Sequence, residues 1–248
     1  MLAGVLLPLA QGGDGFIRDP AEAGTSCVAE NDTVCIGWAV QNMDRWITPT
    51  LEHLLLVGVS VAAGFALAFG LALISHGRRF LVPTFIGLTG VIYTIPSIAL
   101  FLILLPISGR GTLTALIALS LYNLQIIYRN LVVGLANVPE ATKDAGRGMG
   151  MTNRQLLWRV ELPLAVPEIV AGLRIATVST VAIATLATFA GAGGLGQVIL
   201  DQGFQRDVFK TAIVVGSFLA VAMAIAFDVL YVVGQRLAVP WRQVKPLL

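Results

Sequence analysis

An all-α bundle of about five membrane-crossing helices is the fold class this sequence predicts. Three observations carry it. Apolar residues make up 56% of the 248 positions and charged ones only 12%, with mean hydropathy +0.84, a balance unlike that of an ordinary water-soluble domain. Five apolar runs, at 51–75, 82–107, 112–135, 164–189 and 209–235, each reach the ~20 helical residues needed to cross a hydrocarbon core about 30 Å thick. None of them alternates with strand period, so the backbone groups they bring into lipid must be satisfied within helices.

Residues 1–50 precede the first run and are expected to form an extracytoplasmic segment. Met1 to Ala10 is apolar but too short to span, and without a charged n-region or a clear cleavage site it is a poor secretory signal. Acids follow at Asp14, Asp19, Glu22, Glu30 and Asp32. Trp38 to Trp46 is then expected as a short interfacial helix with indoles at the membrane boundary. Cys27 and Cys35 are the two cysteines of the chain. On an oxidising outer side they could close a small loop as a disulfide; two free thiols are the other reading.

The second run carries Tyr93-Thr94-Ile95-Pro96-Ser97 in its middle. Proline removes a backbone hydrogen bond and bends the helix, which hydroxyls such as those of Thr94 and Ser97 can compensate. A structural kink and a bend lining a solute path both fit. At the outer end of the fourth run stands Ala190-Gly191-Ala192-Gly193-Gly194-Leu195-Gly196, read either as a tight turn or as a gate, since Gly191, Gly193, Gly194 and Gly196 permit close backbone approach. In the fifth run Asp228 is the clearest acid inside a span. It lies about 12 Å along a helix from Arg236, where a hydrated or hydrogen-bonded structural role fits better than a proton relay. Residues 238–248 are expected as a tail.

Between the third and fourth runs lies a polar, helix-forming segment, 136–163, which belongs in water and is built to touch something there. Its spacing is specific. Asp144-Ala145-Gly146, then Gly150, then Leu162-Pro163 resembles the coupling motif of ABC importer permeases, Glu-Ala-Ala, three residues, Gly, nine residues, Ile-x-Leu-Pro. Asp144 keeps the acid on a shorter stem, Val160 takes the Ile position, and Gly146 in place of Ala lowers helix propensity by about 1 kcal/mol. The Thr94-Ile95-Pro96-Ser97 run is similar to that of permeases for glycine betaine, carnitine and choline. The glycine run is similar to that of osmoprotectant and methionine permeases.

That resemblance, over about 50–237, implies a type I ABC importer permease fold and a permease subunit that moves a small quaternary ammonium osmoprotectant by alternating access. It also implies a second permease subunit, identical or homologous, a cytoplasmic ABC ATPase dimer that binds the ATP and Mg, and an extracytoplasmic substrate-binding protein. Beside membrane lipid no other partner is called for, and no nucleic acid. The permease domain is expected at 51–237. Another amine or an amino acid such as methionine stays open, because in such systems the binding protein supplies most of the specificity.

Charge orients the chain in a bacterial cytoplasmic membrane. With 136–163 cytoplasmic, that side carries Arg78, Arg79, Lys143, Arg147, Arg154, Arg159, Arg236, Arg242 and Lys245, against Arg18, Arg45, Arg110, Arg206 and Lys210 opposite. Five spans then put the N-terminus outside and the C-terminus inside. Arg129 and Arg174 are expected to snorkel to the cytoplasmic face, or to pair with Glu161 and Glu168 in a static network.

Enzyme chemistry finds little support. No Gly-Lys-Ser/Thr occurs, so the phosphate-cradling loop is missing, and no Ser-His-Asp set or metal-ligand cluster appears. His53 and His76 lack a second ligand at metal spacing. An ion-coupled secondary transporter would need its own ion site and inverted repeats, and a receptor or scaffold would need neither the coupling spacing nor the glycine run.

Overall fold

The computed structural model describes residues 27, 31, 33–78, 80–204 and 208–238. Met1 to Ala10, the acids before Cys35, Arg18, Arg79, Arg206, Arg242, Lys245 and the tail from 239 lie outside the described residues. Among those described, all regular structure is helical.

Helix α1 (Ile36–Gln41) and the long α2 (Asp44–Ser75) open the chain. The expected interfacial helix over Trp38–Trp46 is interrupted at Asn42-Met43, and Trp46 already belongs to α2. The reason is length: 32 residues make a rod of about 48 Å, longer than the hydrocarbon core, so its first turns reach past lipid and can begin with Asp44 and Arg45. A Cys27–Cys35 disulfide closes the loop before α1. This cap sits on the start of the last helix, where the Cys35 N–H donates to Thr211 Oγ1 at 3.0 Å and Trp38 meets Phe209 edge-on at 5.5 Å.

The second apolar run is not one kinked span. It forms α3 (Leu81–Thr94) and α4 (Ser97–Ser108), which meet at 95°. Ile95 and Pro96 are both extended, with ψ 127° and 137°, because a residue before proline is driven out of the helical region and proline has no N–H to continue the ladder. The Thr94 hydroxyl donates to the Val91 carbonyl at 2.7 Å, and the helix restarts at Ser97.

Helix α5 (Thr112–Ala136) is the hub, packed by α2, α3, α4 and the later helix at Leu162–Ala184. Its buried Ala115, Ala118, Leu119 and Tyr122 join Val57, Val61, Phe101, Val181 and Ala184 in one core. Nearer the other end, Ile127, Tyr128 and Leu131 join Ala68, Ala72 and Ala176. The alanines let neighbouring backbones approach, which is how helices associate in lipid without a hydrophobic driving force.

Next come α6 (Glu140–Gly148), α7 (Asn153–Leu156) and a π-helical turn Leu157–Glu161 that runs into α8 (Leu162–Ala184). A 3₁₀ stretch Thr185–Ala190, the glycine run, a π-helical stretch Gln197–Phe204 and α9 (Lys210–Ala238) complete the described chain.

Among the described residues, four helical stretches are long and apolar enough to span: Asp44–Ser75, Thr112–Ala136, Asn153–Ala190 and Lys210–Leu237. The bent α3–α4 pair makes a fifth crossing. It leaves α2 through the Ser75–Arg78–Leu81 turn and ends where the Gly111 N–H donates to the Ala190 carbonyl at 2.7 Å, the end at which α2 holds the glycine run.

Candidate functional site

The polar segment presents a small, partly apolar face to water. Asp144, Ala145, Gly148, Met149 and Gly150 are exposed, Met149 at 71%, whereas Gly146 is buried and faces inward. A Cβ on Gly146 would lie 2.6 Å from Leu156 Cδ1, so glycine there makes room for the side chain that fixes α6 to α7. The turn after α6 needs Gly150 in the left-handed region, φ +79°. Thr152 then caps α7 through a reciprocal capping box with Gln155. Leu162 is half-buried and Pro163 exposed in the first turn of α8, where a missing N–H costs little.

Charges on this segment pair with one another. Arg147 Nη1 donates to Asp144 Oδ1 at 2.8 Å and to Glu140 Oε1 at 3.0 Å. The guanidinium holds the Glu140 carboxyl below the usual carboxylate range. Behind the helix, a cavity of ≈ 640 Å³ separates it from the ends of α2 and α5, with Ser75, His76, Arg78, Lys143, Leu156 and Glu161 among its walls. Across it His76 Nε2 meets Glu161 Oε2 at 2.7 Å, tying the end of α2 to the turn that feeds α8.

At the bend of α3–α4, Tyr93 is 44% exposed and stands edge-on to Tyr122, ring centroids 5.6 Å apart. The Tyr122 hydroxyl donates to the Ile95 carbonyl, so α5 fixes the extended break. Thr94 and Ser97 flank it.

The glycine run is a packed junction rather than a free turn. The Gly194 N–H donates to Glu52 Oε2 at 2.8 Å, and Gly194 has φ +89° with His53 against it. A Cβ on Gly193 would collide with the Glu52 carboxylate, and one on Gly196 with the Thr185 carbonyl. Gly191, at the left-handed end of the 3₁₀ stretch, lies beside Arg110. His53 is fully buried, its Nε2 3.1 Å from the Val181 carbonyl. Since a carbonyl only accepts, the proton is on Nε2 and the partnerless Nδ1 is the bare nitrogen.

Sequence reasoning missed Glu52 and His53 as parts of this junction, because they lie 142 and 141 residues from Gly194 at the edge of the first apolar run. An acid and a histidine side by side in the opening turns of a span were the available signal.

The intramembrane ion pair differs from the expected grouping. The Arg174 guanidinium pairs with neither Glu161 nor Glu168 but holds Asp228 with two bonds, of 2.5 and 2.8 Å. Glu161 goes to His76 instead. A third polar contact in the core joins Thr180 Oγ1 to Asn123 Oδ1 at 2.7 Å.

Comparison with known proteins gives one consistent answer. Residues 60–242 match the family described as binding-protein-dependent transport system inner membrane component. A choline transport system permease protein of Bacillus subtilis is 39% identical over 173 residues, 70% of this chain and 75% of that one. A carnitine transport permease protein of Listeria monocytogenes is 34% identical, covering 74% of this chain and 83% of its own. An osmoprotectant import permease protein of Salmonella typhimurium is 33% identical, at 78% and 91%. Among solved structures, an inward-facing methionine ABC transporter matches with TM-score 0.64 at 24% identity over 76% of this chain and 95% of that one. An amino acid ABC transporter matches with TM-score 0.69 at 18% identity, over 82% and 99%. At such identities the structural matches speak to the fold.

Proposed function

The chain belongs to the binding-protein-dependent transport system inner membrane components, the permease subunits of ABC importers, and on that premise we propose that it moves a small quaternary ammonium osmoprotectant into the cytoplasm. It is a multi-pass inner-membrane permease that works with ATPase and permease partners, and ATP hydrolysis is the task of the separate ATPase subunits. The observation that carries the solute class is the set of choline, carnitine and osmoprotectant relatives at 33–39% identity. The methionine and amino-acid transporters resemble the chain in fold alone.

In this reading the 136–163 segment is cytoplasmic, the disulfide-closed cap lies outside, and the substrate-binding protein delivers its solute to that outer face. Asp144, Ala145 and Gly150 meet the ATPase, with Gly146, Leu162 and Pro163 holding the segment's shape. Nucleotide-driven movement of α6 reaches the membrane by two routes: through the π-helical turn into α8, and through the His76–Glu161 bond into α2. Both helices pack on α5, so the three shift as a unit.

Tyr93 lines the path at the bend, where an aromatic face attracts a quaternary ammonium by about 0.5–2 kcal/mol depending on desolvation. That weak hold suits a passage rather than a store. Uptake of labelled choline by the complete complex tests the role: Tyr93→Phe should keep most activity and Tyr93→Leu should lose it at unchanged ATPase association. Equal uptake by both variants would remove Tyr93 from the path.

A further inference from the structure

Arg174 stands in the middle of α8, about 18 Å along the helix from its first residue and about 15 Å from its last. There its guanidinium is pinned to Asp228 of α9 by bonds from Nε and Nη2, so the side chain does not stretch to a membrane face. The pair is nonetheless open on one side: within this subunit the two side chains are 40% and 38% exposed. Of the four long spans among the described residues, α9 is also the one with least of its surface covered.

An ionised group inside a bilayer faces a bundle interior or a water-filled cavity, because hydrocarbon gives nothing in return for lost hydration. The uncovered side of the pair therefore does not belong to lipid. A guanidinium carries five N–H donors, and Nη1 of Arg174 makes no hydrogen bond among the described residues, which leaves a charged donor in need of an acceptor. The neighbours show what can bring one. A turn to either side of Arg174 on α8 lie Ala171 and Val178, and one and two turns before Asp228 on α9 lie the exposed Ile225 and Val221. Such a face is a poor lining for water but packs well on another helix, since small residues let backbones approach and a polar contact then holds them.

We propose that the α8–α9 face around Arg174 and Asp228 is a contact surface for the second permease subunit, which lays a helix over the pair inside the bilayer and turns a hydrogen-bond acceptor toward Arg174 Nη1. The permease partner is the component of such a transporter that lies in the membrane beside this chain. The proposal rests on that family membership, and on neither the orientation of the chain nor its solute.

A nitroxide on Ile225→Cys reports what touches this face, since the native cysteines are joined to each other and leave the reporter thiol alone. Val221→Cys replaces it if that chain does not fold. The complete complex in nanodiscs is measured by power saturation against oxygen, which partitions into lipid, and against a neutral nickel chelate, which stays in water. Oxygen accessibility should be several-fold lower than for a label on a lone transmembrane peptide in the same nanodiscs. Nickel accessibility should be as low as for Leu100→Cys, which is buried within the subunit. High oxygen accessibility would mean lipid on this face, and high nickel accessibility a water-filled path; either overturns the contact. If the label keeps the permease subunits from copurifying while one at the exposed Leu102 does not, the face is likewise a subunit contact, and the same loss at Leu102 would overturn it. The number of permease subunits per complex, read from its native mass, tests the premise separately, and the identity of the solute changes none of these readings.

Discussion

Gly150 offers a perturbation whose parts can be separated. Its φ is +79°, and nothing stands within 4 Å of where its Cβ would be, so in the permease alone a Cβ there meets backbone strain and no clash. That strain is roughly 1–2 kcal/mol for an ordinary L residue, which converts to a factor of about 5–30 in the population holding the docking turn. Gly150→Ala and Gly150→Trp carry the same strain. They differ only in what the side chain meets when a partner arrives, on a face where Met149 is already 71% exposed. Asparagine tolerates the left-handed region, so Gly150→Asn should fall closest to the native protein. The assay is the apparent affinity of the solubilised permease for its ATPase dimer, followed by ATP-driven uptake in proteoliposomes. Affinity should fall in the order Gly, Asn, Ala, Trp, with Ala within the strain factor and Trp well beyond it. A tryptophan variant that binds and transports as well as the alanine one would refute the docking role of this turn.

Other consequences are checked more simply. A cysteine at the exposed Asn153 should react with impermeant thiol reagents only from the cytoplasmic side; labelling from outside in intact cells would reverse the orientation. On the outer side, unreduced peptide mapping should recover Cys27 and Cys35 as one linked peptide pair. Asp228→Ala should lower folded yield and thermal stability because it strands the Arg174 guanidinium among apolar helices, and the exchange Arg174→Asp with Asp228→Arg should recover part of both. No recovery in the exchanged protein would mean that the pair's geometry, not its charge balance, is what the bundle requires.

All five crossings were legible as apolar runs, since a span long enough for lipid cannot hide its composition. The start of α2 was not, because its first turns lie beyond the hydrocarbon and carry Asp44 and Arg45. At Pro96 the sequence announces a break, but its size, 95°, is set by α5 holding Ile95 through Tyr122. The spacing from Asp144 to Pro163 marked out the segment proposed to dock, and the helix it predicts there is present as Glu140–Gly148, because a polar helix between spans is a local feature. Glu52 with Gly194, and Arg174 with Asp228, are joined across 142 and 54 residues. Such pairs depend on which helix faces meet, and a single sequence carries no record of that.

The account as a whole stands on ATP-driven movement of a quaternary ammonium solute. Right-side-out vesicles containing the permease, its ATPase partners and its binding protein, loaded with ATP and offered labelled choline, glycine betaine and carnitine, measure this directly. At least one of the three should accumulate against its gradient with ATP inside, should fail to do so with a non-hydrolysable analogue, and should be unaffected when proton and sodium gradients are collapsed. Accumulation that follows an ion gradient without ATP, or ATP-driven uptake of methionine with none of the three carried, would contradict it.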